Sequence, residues 1–188
     1  MTGNFETYYA YLKNRSKLGL LYRRHCLYPR LCVYLRGRVL DVGCGIGDFV
    51  AFRPETVGVD INPETVAWCR DNGLDVRLME ENLLPFADCE FDGVIMDNVL
   101  EHLPFPGPLL GEIARVMAPG ASLVVGVPGR CGYVSDPDHK MFYGEASLIA
   151  VVNAAGFAQR RLIYAPIRSQ WLDRHMRQYC LYGVFHRL

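Results

Sequence analysis

The segment VLDVGCGIGDF, residues 39–49, constrains the fold of this chain more than any other feature. Three glycines alternate at its centre, and glycine is favoured where a backbone turns tightly or approaches a ligand closely. The apolar run before them, residues 38–42, predicts a strand, so the glycines form the turn that leaves it. In open α/β sheets such turns lie at the carboxyl edge, where ligands bind. The segment therefore predicts an α/β fold with a ligand site around residues 43–47.

Strand-like apolar runs alternate with helical patterns along the rest of the chain. Strands are predicted at residues 38–42, 56–61, 75–79, 91–98 and 122–128, and helices at residues 62–73, 107–117 and 144–156. This order predicts a doubly wound, mostly parallel sheet. The first crossover helix must be short, because only DFVAFRPE separates the glycines from the second strand. The last two β-rich segments leave little room for a crossover and are expected to pair antiparallel at one edge.

The N-terminal stretch is aromatic and basic, and residues 5–35 favour helix with a candidate break at Gly19 and a stop at Pro29. We expect two parts: residues 1–36 as a helical cap segment, and residues 37–188 as the ligand-binding domain. The aromatic stripe is either packing against the core or a cover for a substrate pocket.

Composition limits the classes of protein. The net charge is zero, but it is +7 over residues 1–38, −12 over residues 41–112 and +5 over residues 113–188. Basic ends packed beside an acidic middle account for this, and a surface for an anionic partner is the alternative. Seven scattered cysteines without a CxxC pair favour a reducing compartment, with no disulfide framework and no metal site. There is no apolar run that spans a bilayer and no secretory signal, so a cytoplasmic location is expected.

The glycine spacing and Asp41 discriminate between two ligands. The third glycine is Gly47, which gives GxGxG, whereas the pyrophosphate-binding pattern GxGxxG needs glycine at the position of Asp48. A carboxylate at Asp41 repels a pyrophosphate and attracts the ammonium group of a methionine tail. Asp60, at the end of the second strand, can accept hydrogen bonds from ribose hydroxyls. The residues therefore favour S-adenosylmethionine (SAM) over a nicotinamide dinucleotide.

Four segments in order carry a family resemblance: VLDVGCGIGDF, VGVDIN, ENLLPFADCEFDGVIMDNVLEHL and EIARVMAPGASLVVGVP. Together they resemble the class I SAM-dependent methyltransferases, most closely the small bacterial group called the type 11 methyltransferase domain. The resemblance covers residues 38 to about 165 and implies a Rossmann-like, seven-stranded sheet with an antiparallel last strand. It implies methyl transfer from SAM and these cofactor contacts: Asp41, Gly43, Cys44, Gly45 and Gly47 in the loop, Asp60 and Ile61, Glu80 or Glu81, and Asp97 and Asn98. Of these, Cys44 is expected to be a small loop residue and not a nucleophile.

Three residues are candidates for catalysis. His102, in NVLEHL, resembles the family's frequent Glu-His pair and either touches substrate or braces the loop. His139 and Tyr133 lie in a polar segment after the fifth strand. His139 is a candidate general base with a structural role as the alternative, and Tyr133 a candidate wall of the acceptor pocket.

The acceptor of the methyl group is expected to be a small molecule or a lipid- or sugar-type molecule, and an anionic or lipid-linked acceptor is one alternative. The oligomeric state is not predicted. A nucleic-acid acceptor is not expected, because the Asn/Asp-Pro-Pro-aromatic motif is absent after the fourth strand, where the chain reads DNVLEHL. The rival functions are a non-catalytic SAM-binding partner protein and an NAD-dependent oxidoreductase.

Overall fold

A seven-stranded sheet in the order β3-β2-β1-β4-β5-β7-β6 organises the computed structural model, which describes residues 16–188. Its strands are β1 Val39–Val42, β2 Thr56–Asp60, β3 Val76–Leu78, β4 Phe91–Asp97, β5 Met117–Pro128, β6 Phe157–Ala165 and β7 Cys180–Arg187. β1 pairs in parallel with β2 and β4, whereas β7 pairs antiparallel with both β5 and β6. The predicted doubly wound sheet with an antiparallel last strand is confirmed, because β7 inserts between β5 and the edge strand β6.

The helices are short and alternate with the strands. They are α1 Lys17–Tyr22, α2 Tyr28–Cys32, α3 Asp48–Phe52, α4 Pro63–Asp71, α5 Gly107–Val116, α6 Arg130–Val134, α7 Glu145–Asn153 and α8 Gln170–His175. A π-helical turn Arg23–Leu27 joins α1 to α2, and a 3₁₀ turn Leu100–His102 follows β4. The first crossover helix, α3, has five residues, as the short spacer predicts. None of the helices in residues 16–188 is long and apolar enough to cross a bilayer.

Each face of the sheet buries its own cluster of side chains. On one face, Val94 and Met96 of β4 join the apolar sides of α5 and α7. On the other, Ile95 joins Phe49 of α3 and the end of the N-terminal segment. Alternate residues of a strand point to opposite faces, so β4 contributes to both layers and its centre, Val94–Ile95–Met96, is apolar on both sides.

The last part of the N-terminal segment belongs to the second of these clusters. Leu27, Tyr28, Leu31 and Leu35 are at most 4% exposed and pack against the sheet. Residues 1–15 lie outside the described residues, so the division at residue 36 and the cap over a substrate pocket stay predictions.

The expected stop at Pro29 is wrong. The helical segment continues to Cys32, with Pro29 in the first turn of α2. The residues before it form a π-helical turn, and a proline is tolerated in a first turn, where its missing N–H breaks no regular hydrogen bond. Gly19 does not break the helix either, because α1 runs through it.

β5 begins earlier than the predicted residue 122. Met117 pairs with Phe91, but the next pair joins Ser122 to Gly93, so β5 carries extra residues that bulge from the sheet. Gly120 lies in this bulge with φ +74°. The Ala-Pro-Gly sequence therefore makes its turn inside a strand pairing that the local pattern does not reveal.

Candidate functional site

The glycine loop leaves β1 in a conformation that glycine alone adopts easily. Gly43, Gly45 and Gly47 all have positive φ, at +73°, +53° and +73°. Space is limiting as well, because a Cβ on Gly43 would lie 2.3 Å from a methyl group of Val99. The loop is thus fixed close to the end of β4, and Gly47 caps the start of α3.

Asp60 holds the glycine loop against the end of β2. Its Oδ2 accepts a hydrogen bond from the N–H of Gly45 at 2.8 Å, and its Oδ1 accepts one from the N–H of Asn62 at 2.8 Å. Burial raises the pKa of the Asp60 carboxyl, and these backbone hydrogen bonds oppose that rise. Each carboxylate oxygen has a second lone pair, so Asp60 can brace the loop and still accept hydrogen bonds from a ligand.

The loop lies in an unusually acidic environment. Asp41 is 5% exposed, and burial followed by the carboxylates of Asp97, Asp60 and Asp48 raises its pKa well above the ordinary value. Arg23 opposes the rise, with the smallest effect of these groups. Such a site disfavours a pyrophosphate and suits a ligand that carries positive charge. SAM carries positive charge on its ammonium group and its sulfonium, so these carboxylates suit it.

Cys44 packs behind the loop. Its Sγ lies against Gly58 of β2, so closely that a Cβ added to Gly58 would stand 2.7 Å from this sulfur. Its side chain also packs against the small apolar cluster that includes Cys69. Its pKa is raised well above the ordinary value by the neighbouring Cys69 thiol and by burial. A half-buried thiol with a raised pKa is a poor nucleophile, which supports the role of a small packing residue.

The end of β4 forms the opposite wall of the loop. Asn98 adopts φ +56°, its N–H donates to the carbonyl of Gly126, and its Nδ2 donates to Asp97 Oδ1 at 3.0 Å. Asp97 also accepts a hydrogen bond from Arg23 of the N-terminal segment, with Nη1 2.9 Å from Oδ2. The sequence gives no signal for this pairing.

The predicted nucleoside contacts lie at the ends of β2 and β3. The N–H of Met79 donates to the carbonyl of Asp60, which brings the start of the acidic pair Glu80 and Glu81 beside the second strand. Both glutamates are exposed, and Ile61 is 48% exposed at the same edge. The structure brings these residues to the carboxyl edge and leaves the choice between Glu80 and Glu81 open.

A second cluster brings together all three predicted catalytic residues. The rings of His102 and His139 lie 4.7 Å apart, and the ring of Tyr133 stacks on His139 at 5.5 Å with an interplanar angle of 15°. The carbonyl of Tyr133 lies 2.9 Å from His139 Nδ1. Burial, and next the neighbouring His139, lower the pKa of His102, so this imidazole is neutral at neutral pH.

Glu101 is the residue of this cluster that the sequence analysis missed. Its side chain is fully buried, and burial raises its pKa to about 8. Its carbonyl accepts hydrogen bonds from the N–H groups of Lys140 and Met141 at 2.7 and 3.0 Å, which fixes the His139 loop against the 3₁₀ turn. The sequence signal for Glu101 was a glutamate next to a histidine after β4. The burial of that glutamate, however, depends on the distant loop that carries His139.

Comparisons with known proteins agree with this geometry. The sequence model of the family described as "Methyltransferase domain" matches residues 40–125. A Mycobacterium tuberculosis protein named a probable S-adenosylmethionine-dependent methyltransferase is 31% identical over 171 residues, which cover 82% of this chain and 62% of that protein. The chain thus spans less than two thirds of the length of this curated relative.

Two solved structures share the fold. A SAM-dependent methyltransferase from Thermotoga maritima superposes with a TM-score of 0.73 at 18% identity, covering 90% of this chain and 89% of that one. A Haloferax volcanii protein solved in complex with the Trm112 methyltransferase activator also gives 0.73 at 18% identity, covering 99% and 98%.

The sheet order and the acidic glycine loop define a Rossmann-like fold of the methyltransferase type. Residues 40–125 match the methyltransferase-domain family, and the chain is similar to SAM-dependent methyltransferases in sequence and shares their fold. SAM is the cofactor that this family and fold imply, and the acidic loop is chemically suited to it.

Proposed function

We propose that this chain transfers a methyl group from SAM to a small-molecule or lipid- or sugar-type acceptor by in-line displacement. The observation that carries the proposal is the acidic glycine loop, in which Asp41 is buried among three further carboxylates. A cationic ligand offsets that repulsion, and an anionic one would add to it.

The residues around the loop divide the work of alignment. Asp60 and Gly45 fix the loop, and Asp97 and Asn98 form the rim beyond which an acceptor approaches. Bound SAM supplies a methyl group activated by its sulfonium. Since the leaving group is already good, holding the acceptor atom in line at short range provides most of the rate.

His102 and His139 are the proposed proton acceptors, with Tyr133 as a wall of the acceptor pocket. They act as a general base only where the acceptor is a hydroxyl or a protonated amine. His102 lies three residues beyond Val99, which adjoins the glycine loop, and the ring of His139 lies 4.7 Å from that of His102. This position supports a role on the acceptor side of the cofactor.

Two rival functions make different predictions. An NAD-dependent oxidoreductase requires the loop to accept a pyrophosphate, which its carboxylates oppose. A non-catalytic SAM-binding partner protein requires only the loop, and the histidine cluster would then have no chemical task. The acceptor class rests on the sequence DNVLEHL, which lacks the motif that some enzymes use on the exocyclic amines of nucleic-acid bases.

Calorimetry with SAM, with its demethylated product and with NAD tests the first part of the proposal. We expect both sulfur ligands to bind and NAD not to bind. A screen of hydroxyl and amine acceptors for conversion of SAM to its demethylated product tests the second part. NAD binding without SAM binding would overturn the proposed function, and SAM binding without turnover on any acceptor class would favour the partner protein.

A further inference from the structure

The Glu101 carboxylate and the rings of His102 and His139 converge on one point at the carboxyl edge of the sheet. One carboxylate oxygen and one ring nitrogen from each histidine all lie within 4.8 Å of one another. Two of these residues stand on the rigid 3₁₀ turn after β4, and the third is held there by the two backbone hydrogen bonds to the Glu101 carbonyl. The convergence is therefore built by the fold.

The buried carboxylate of Glu101 lacks the partners that such a group normally has. Among the described residues, neither of its oxygens accepts a hydrogen bond. The nearest cationic candidate is His139, whose Nε2 lies 3.8 Å from Oε1. Buried polar groups are nearly always paired, and an unpaired buried carboxylate is costly. We therefore expect the Glu101 carboxylate to bind a cation or a proton.

The orientation of His139 determines what it offers to that carboxylate. The Tyr133 carbonyl can only accept a hydrogen bond, so the Nδ1 that lies 2.9 Å from it carries a proton. In its neutral form the ring presents the lone pair of Nε2 to Glu101 and to Asp136, whose carboxylates lie 3.8 Å away. A histidine whose Nδ1–H donates to a backbone carbonyl, with Nε2 facing other ligands, is the usual arrangement at a metal ion.

We propose that Glu101, His102 and His139 bind a divalent metal ion, which departs from the expectation that this chain has no metal site. One carboxylate and two imidazoles suit zinc, manganese, iron or cobalt better than calcium. Ligand atoms about 2.1 Å from one tetrahedral metal stand about 3.4 Å apart. The three side chains, whose ligand atoms lie within 4.8 Å of one another, thus have to close by up to about 1.4 Å.

The metal would activate the acceptor of the methyl group. Three protein ligands leave coordination positions open, and a hydroxyl bound there would release its proton to solvent more readily. The metal would then replace a histidine as the group that activates an oxygen acceptor. This role rests on the proposed methyl transfer, whereas metal binding itself does not.

A titration of the chelator-treated protein with cobalt(II) and with manganese(II) tests the proposal without SAM or any acceptor. We expect one ion per chain, with the visible spectrum of cobalt bound by nitrogen and oxygen. Glu101→Gln and His139→Gln should each weaken binding at least tenfold. Failure of this test leaves the SAM-binding test of the proposed function unaffected.

His175→Gln is the matched control. Its ring also stacks on an aromatic side chain, Trp171, and its Nδ1 lies 2.8 Å from the Trp171 carbonyl, but among the described residues no carboxylate forms an ion pair with it. This variant should bind as the unchanged protein does, and circular dichroism should show all variants folded. The proposal is overturned by the absence of a stoichiometric site, by unchanged affinity in folded Glu101 and His139 variants, or by the near-ultraviolet absorption of a cobalt–thiolate bond.

Discussion

Arg23 donates a hydrogen bond to Asp97 at 2.9 Å and so joins the N-terminal helical segment to the end of β4. Among the described residues, the main charges that act on Asp41 are three carboxylates, which raise its pKa, and Arg23, which lowers it. The N-terminal segment therefore does more than cover the sheet, because it supplies positive charge to an acidic site.

Replacing Arg23 should lower stability without weakening the cofactor site. Arg23→Gln leaves a partly buried Asp97 without its cation, and we expect a loss of roughly 1–3 kcal/mol in the free energy of unfolding. SAM affinity should be unchanged or higher, because the site becomes more negative. Denaturant unfolding and calorimetry measure the two quantities. The exposed Arg24→Gln is the control, and a fall in SAM affinity limited to Arg23→Gln would contradict the prediction.

Binding of SAM should release protons through Asp41. Its raised pKa means that the free protein holds a proton on this carboxyl at pH values between the ordinary value and the raised one. A cationic ligand stabilises the carboxylate and lowers that pKa, so protons leave on binding within this pH range. Calorimetry in buffers of different ionisation enthalpy counts them. The Asp41→Asn protein should lose this buffer dependence, and equal proton release from both proteins would exclude Asp41 as the source.

Asp60→Asn should weaken SAM binding at least tenfold. The substitution places an amide N–H₂ where the carboxylate accepts hydrogen bonds from Gly45 and Asn62, and it removes the charge that ribose hydroxyls would meet. Hydrogen bonds to a charged group contribute roughly 1.5–3 kcal/mol each. Calorimetry on the folded variant gives the affinity. Asp71→Asn, on the exposed end of α4, serves as the control, and equal affinity for both variants would remove Asp60 from the binding site.

Gly43→Ala should abolish SAM binding, whereas Gly73→Ala should not affect it. Both glycines have nearly the same φ, +73° and +75°, so both substitutions carry a backbone cost of roughly 1–2 kcal/mol. Only at Gly43 does the new methyl group meet Val99, while nothing lies within 4 Å of the same position on Gly73. Thermal unfolding measures the backbone strain that both variants share. SAM calorimetry measures the effect of displacing the loop, which is expected for Gly43→Ala alone. Shortening the obstacle in Gly43→Ala/Val99→Ala should restore part of the binding.

Local patterns in the sequence determined the elements and the cofactor edge. The alternation of apolar runs and helical segments predicts the strands, and α4 begins as expected, with the Asn62 side chain accepting from the N–H of Glu64. The turn formed by the glycines after Asp41 could be predicted because a tight turn after a buried strand depends only on neighbouring residues. Pro29 shows the limit of such patterns. The residues before it form a π-helical turn, so Pro29 stands in the first turn of the next helix and does not end the helical segment.

The tertiary structure alone decided which charges face each other. Glu101 and His139 belong to separate connections, and a pattern of neighbouring residues carries no information on whether two loops meet. The same holds for Arg23 and Asp97, which join the start of the described chain to the middle of the sheet. The physical reason is that burial and pairing of ionisable groups depend on the distant segments that exclude water around them, and chain folding brings those segments together.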